Sequence, residues 1–362
     1  MRVPFVLPRD VEPLADYGFF GPESVSWKVW SSATSFALGF MRAVSIEQLD
    51  PNLNAAVIDT GDVYRRTRTR YDRTLHYFAL VLFGDSVAAT RAANVLVKVH
   101  AKAVGDDPVT GGRYDANDPD SQLWIHMTAW HSILKCYELY GPGRLSAAEE
   151  DGYWAECAVA AELQTIRVEE VPRSREEVRA YFEAWRPRLA GSQQAQEMMG
   201  YLFDTTEYAM GPMPAWLGWL RRAIVRWHRW AILATLPQYQ RRLAGVRQPG
   251  WVDAIIVPVT RVLYKPFFWR AARPLLPTFV RWASPSTLAV VAPMFFGLAP
   301  RDPRTYTPAQ ARQRLEILHP REEYARFRAL LARRRAEGAV SVQELGIGPE
   351  IPESRELIGP TA

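Results

Sequence analysis

Apolar residues recur every three to four positions along most of the chain, and few stretches alternate long enough to make strands, so the pattern predicts an all-α fold. A helix is expected over Asp62–Phe83, stopping at Gly84. Asp85-Ser86 cap the next, which runs to Val104 with Gly105 in the stop position. A loop rich in Asp, Gly and Pro follows from Gly105 to Pro119. Asp118-Pro119 open a helix that reaches Tyr140 and ends at Gly141-Pro142-Gly143. Ser146 with Glu149, and Ser174 with Glu177, have the spacing of reciprocal caps, and the second of these helices reaches Trp185.

Composition divides this helical chain. Leu145–Trp185 holds ten acids against four arginines, whereas Ala215–Ser284 holds eleven arginines and Lys265 against the single Asp253. Four parts are expected: an N-terminal extension (1–26), a helical catalytic core (27–210), an Arg/Trp-rich helical region packed on it (211–337) and a flexible tail (338–362). The third part would form a helical cap. Cys136 and Cys157 are too few for a disulfide framework or a Cys-rich metal cluster. The +5 net charge is far from that of a nucleic-acid binder, and no nucleic-acid motif is present. Met1–Asp10 is unlike a signal peptide, and Leu288–Ala299 is too short to span a bilayer of about 30 Å. A cytoplasmic protein is expected. Trp216, Trp219, Trp227, Trp230, Trp251, Trp269 and Trp282 among the late arginines suit contact with an anionic membrane surface, or a cap whose tryptophans pack inward.

There is no GxGxxG, P-loop, HExxH, GxSxG or CxxCH, so chemistry rests on the histidines and their polar neighbours. His100 shares a helix face with Ala93, Leu96, Val97, Ala103 and Val104, while Arg91, Lys98 and Lys102 fall on the side expected to meet water. It is a core histidine satisfied by one hydrogen bond, or a ligand to haem iron beside small residues. On the preceding helix Arg70, Arg73, Thr74 and Tyr77 form one polar stripe, either a solvated face or a polar pair aimed at bound dioxygen. His126 and His131 are five apart and cannot chelate one metal from a regular helix; His126 lies on a mostly apolar face.

Taken together, R-T-x-x-Y…F-G-D, then H-x-x-x-V-G, then G-x-Y-x-A-x-D-P…W-I-H-x-T, the chain from about Trp27 to Trp185 resembles the MpaB family of oxygenases, whose catalytic domain is shared with the latex-clearing rubber oxygenases. The resemblance implies a globin-like core holding haem b without covalent attachment, with His100 as proximal iron ligand and Leu96 and Ala103 beside it. It implies Arg73-Thr74 as the distal pair, Arg70 one turn earlier and a catalytic acid upstream, for which Asp59 is the candidate. His126 matches a second family histidine, structural or haem-adjacent. Val97 and Val104 stand where the rubber oxygenases carry arginines, and Arg73 where they carry lysine, which points away from polyisoprene. The implied reaction uses O2 on a lipophilic, isoprenoid-like molecule. The alternatives are a non-catalytic haem-binding protein and a membrane-peripheral lipid-binding protein.

Overall fold

The computed structural model describes residues 5–210, 213–268 and 275–336. Trp269 and the expected tail lie outside them. The architecture is all-α, with one short two-stranded sheet among the described residues. The first helices are α1 (Val25–Trp30), α2 (Phe40–Ile46), α3 (Pro51–Thr60) and α4 (Asp62–Arg65). They lead into α5 (Thr67–Phe83) and α6 (Ser86–His100). Strands β1 (Val104–Asp106) and β2 (Arg113–Asp115) pair antiparallel before α7 (Pro119–Tyr140). Next come α8 (Ala147–Ala161), α9 (Arg175–Trp185), α10 (Gln193–Asp204) and α11 (Thr206–Ala209). The basic region supplies α12 (Gly218–Ala234), α13 (Gln238–Leu243), α14 (Gly250–Tyr264), α15 (Leu276–Ala283) and α16 (Leu288–Phe296). Two last helices, α17 (Pro308–Leu315) and α18 (Pro320–Ala336), complete the described chain.

Local chemistry explains most of these boundaries. Asp85 accepts from Ala88 N at 2.8 Å and starts α6. Buried Asp16 takes both the Ser86 N–H and its hydroxyl at 2.7 Å, fixing the α5–α6 turn. Ser146 and Glu149 make both bonds of the reciprocal cap. Ser174 makes only its own half, because the Glu177 carboxylate accepts from Arg173 N instead. The central α7 is the most enclosed helix: Trp124, Met127, Trp130 and Cys136 are at most 1% exposed. Trp30 and Tyr153 pack on Trp130, tying α1 and α8 to it.

Three expectations are corrected. The helix read as Asp62–Phe83 breaks at Arg66, where φ −133° and ψ 36° leave the helical region. The helix expected to reach Val104 ends at His100: the Val97 carbonyl accepts both Ala101 N at 2.9 Å and Asn117 Nδ2 at 2.8 Å, the next bonds tighten to Lys102 N–Val99 O and Ala103 N–His100 O, and the chain turns into β1. The side of α6 expected to meet water is covered in part by the last helices: Arg91 is exposed, whereas Lys98 pairs with buried Glu323 of α18 at 3.1 Å. The same helix anchors the end of α6 through Arg328, which donates to the Ala101 carbonyl.

Gly105 sits in β1 opposite Tyr114, and a Cβ there would lie 2.6 Å from the tyrosine ring. Gly105→Ala is expected to lower unfolding stability by about 1–3 kcal/mol in urea titrations. Gly250→Ala, where a Cβ meets nothing within 4 Å, is the control and leaves stability unchanged or raised.

Candidate functional site

The ends of α5, α6 and α7 converge with the segment after α2. His100 is the last residue of α6 and is half-buried. Burial pushes its imidazole down to about 4, and the positive charge of Arg70 adds to this. The ring is therefore neutral near pH 7. Among the described residues its hydrogen-bond partner is Gln122 of α7, whose amide nitrogen lies 3.3 Å from Nδ1 and also donates to the Ala116 carbonyl. Nothing in the sequence pattern singles out Gln122.

Arg70 connects this histidine to a carboxyl that the sequence did not single out. Glu47 follows α2 directly, with its carbonyl taking the Trp124 indole N–H at 3.3 Å. Burial raises its carboxyl to about 8, and the Arg70 charge opposes that rise. Asp59, the candidate acid, is exposed near the end of α3 and accepts from the Tyr114 hydroxyl at 2.7 Å. Arg73 is half-buried, and no carboxylate within 4 Å faces it among the described residues. The Thr74 hydroxyl donates back to the Arg70 carbonyl at 2.9 Å, keeping its lone pairs uncommitted. Tyr77, one turn further on, has a buried hydroxyl without a partner. Leu96 and Ala103 are half-buried on either side of His100.

The adjacent side of α5 is apolar. Tyr71, Leu75, Phe78 and Ala79 line a chamber of about 860 Å³, closed by Phe40, Trp227, Val291 and other side chains of α2 and the basic region. One helix thus carries the polar cluster on one flank and the chamber wall on the next. The chamber was illegible in the sequence because its walls come from segments some 200 residues apart.

His126 is brought to neither place. It is 1% exposed between α7 and α8, where Nε2 donates to the Cys157 carbonyl at 2.8 Å and Nδ1 accepts from Gln164 Nε2 at 3.0 Å. Both ring nitrogens are spent on protein groups, so the ring is a packing element in this structure. Burial pushes it down to about 4, against the Cys157 hydrogen bond that favours the charged form. A group whose pKa falls from 6.5 on folding binds more protons in the unfolded chain, so its stabilisation is present above pH 6.5 and lost as pH falls towards 4. Thermal melts are expected to show a falling midpoint across that window, with a shallower fall in His126→Gln.

No curated protein and no solved structure matches the chain. The family model of the ER-bound oxygenase mpaB/B'/Rubber oxygenase catalytic domain matches residues 27–264, more than half of the sequence. The match spans the α5–α6–α7 cluster and continues through α14, so the basic region is partly inside it. Having an oxygenase-type catalytic domain over this span, the chain belongs to the mpaB/rubber oxygenase family.

Proposed function

We propose that the chain is a haem b-dependent oxygenase that uses O2 to oxidise a lipophilic, isoprenoid-like substrate. The observation that carries this reading is the neutral His100 beside Arg70 and Glu47, on the flank of the helix whose next face lines the apolar chamber.

The donor chemistry suits the prosthetic group. A neutral imidazole offers a lone pair to iron. Haem iron needs one such donor from the chain, and His100 would supply it. Gln122 would orient that ring. Its amide nitrogen faces Nδ1 at 3.3 Å and is held in that orientation by the Ala116 carbonyl. Leu96 and Ala103 would border the macrocycle, and the helices around it form the globin-like part of the core. When bound, haem supplies the redox chemistry that activates O2.

The chain's own residues supply the rest. The permanent charge of Arg73, with no carboxylate against it, stabilises negative charge as dioxygen is reduced. Arg70 and Thr74 extend the same polar stripe, and the Thr74 lone pairs can accept a hydrogen bond. Glu47 has a pKa close to neutral pH, which suits a general base for an allylic C–H. It is better placed than Asp59, which is committed to Tyr114 at the surface. The apolar chamber gives a lipophilic molecule a water-poor place to bind on the neighbouring face of α5.

Haem-loaded protein is expected to consume O2 when given squalene or shorter terpenoid alkenes. Arg73→Met should lower kcat by about 10²–10³-fold. Glu47→Gln should lower kcat and abolish the rise in rate between pH 7 and 9. Absence of oxygen uptake with every alkene, or full activity in Arg73→Met, overturns the proposal.

A further inference from the structure

The basic region exposes apolar side chains in an ordered way. On α14, Trp251, Ile255, Val259 and Val262 recur at i, i+4, i+8 and i+11 and are 68%, 51%, 39% and 58% exposed. On α12, Trp219, Arg226 and Trp230 form an outward row, with the Arg226 guanidinium 5.7 Å from the Trp230 ring centre. The two helices lie side by side, since Trp227 donates to Thr260 at 2.9 Å and His228 meets the Tyr264 hydroxyl at 2.9 Å. These contacts use the inward faces of both helices. A soluble protein rarely leaves so many large apolar groups together in water.

Charge in this region is mainly positive, with Arg221 and Arg229 of α12 paired to Glu207 and Asp204. Asp253 is the one acid of Ala215–Ser284, and Arg241 holds it at 2.8 Å. Arg222, Arg226, Arg242, Arg247, Arg261, Lys265 and Arg281 are exposed. The α14 row also ends at a door: Leu263 and Phe279 line the apolar chamber, yet are 54% and 55% exposed. Among the described residues no helix is long and apolar enough to cross a membrane.

From these observations we infer that the outward faces of α12 and α14 dock on an anionic lipid surface, with the chamber mouth at Leu263 and Phe279 facing the acyl region. Tryptophans seat at the headgroup level, arginines meet lipid phosphates and the aliphatic row enters the interface. A lipophilic molecule then passes from bilayer to chamber without crossing water. Docking stands on the surface alone; the delivery role rests on the lipophilic-substrate reading above.

The test is co-sedimentation of the full chain with phosphatidylcholine vesicles containing or lacking phosphatidylglycerol. Binding is expected to anionic vesicles, to weaken at 0.5 M salt, and to be about tenfold weaker in Trp251→Ser/Ile255→Asn. Arg222→Gln/Arg226→Gln should weaken it too, without touching the apolar row. Circular dichroism checks that the variants stay folded. No binding to anionic vesicles, equal binding by both double variants, or a dimer in light scattering that Trp251→Ser/Ile255→Asn dissociates each overturns the inference. The assay needs no haem, so failure to dock and failure of the oxygenase reading show up separately.

Discussion

Helix α5 has to serve two environments at once. Arg70, Arg73 and Thr74 need electrostatic partners or water, while Tyr71, Leu75, Phe78 and Ala79, one residue away, need an apolar wall. The helical repeat separates them onto neighbouring flanks. What makes the polar flank chemically interesting is that the Arg70 charge acts on two groups in opposite ways. It disfavours the imidazolium of His100 and favours the carboxylate of Glu47. Burial reinforces the first effect and outweighs the second. The result is a neutral histidine and a carboxyl titrating near 8, both set by one guanidinium and the low polarity around it.

The surrounding fold holds these groups in place rather than taking part. The turn between α5 and α6 is fixed by Asp16 and Asp85, and the end of α6 by Asn117 and Arg328. The short β1–β2 pairing carries the chain away from His100 and back into α7, where Gln122 meets the ring. Helices α17 and α18 cover part of the outer side of α6, so Lys98 spends its charge on Glu323. The basic region closes the apolar flank. One site therefore draws on nearly every part of the described chain.

Much of this was legible in the residues. The Ser146–Glu149 cap, the turn after Phe83, the α7 boundaries and the family were readable, whereas the Ser174–Glu177 pair forms only half of its expected cap. His100 stood out by its apolar neighbours at helical spacing. Glu47 did not. It lies in a single turn with no periodicity of its own, and its raised pKa comes from packing against α5 and α7, contacts distant in sequence. Asp59 looked equivalent on paper because sequence distance cannot tell an exposed carboxyl from an enclosed one. The strands escaped notice for a related reason: three residues are too few to show alternation, and Gly105 read as a helix stop when its role is to admit the Tyr114 ring.

The central claim is that His100 is the axial ligand of a haem. The most direct measurement is the absorption spectrum of protein expressed with a haem precursor, oxidised and dithionite-reduced, beside His100→Ala. The account predicts a Soret band at one haem per chain that shifts on reduction and is lost in the variant while its helical circular dichroism persists. A chain that takes up no haem, or a Soret band unchanged in His100→Ala, would contradict it.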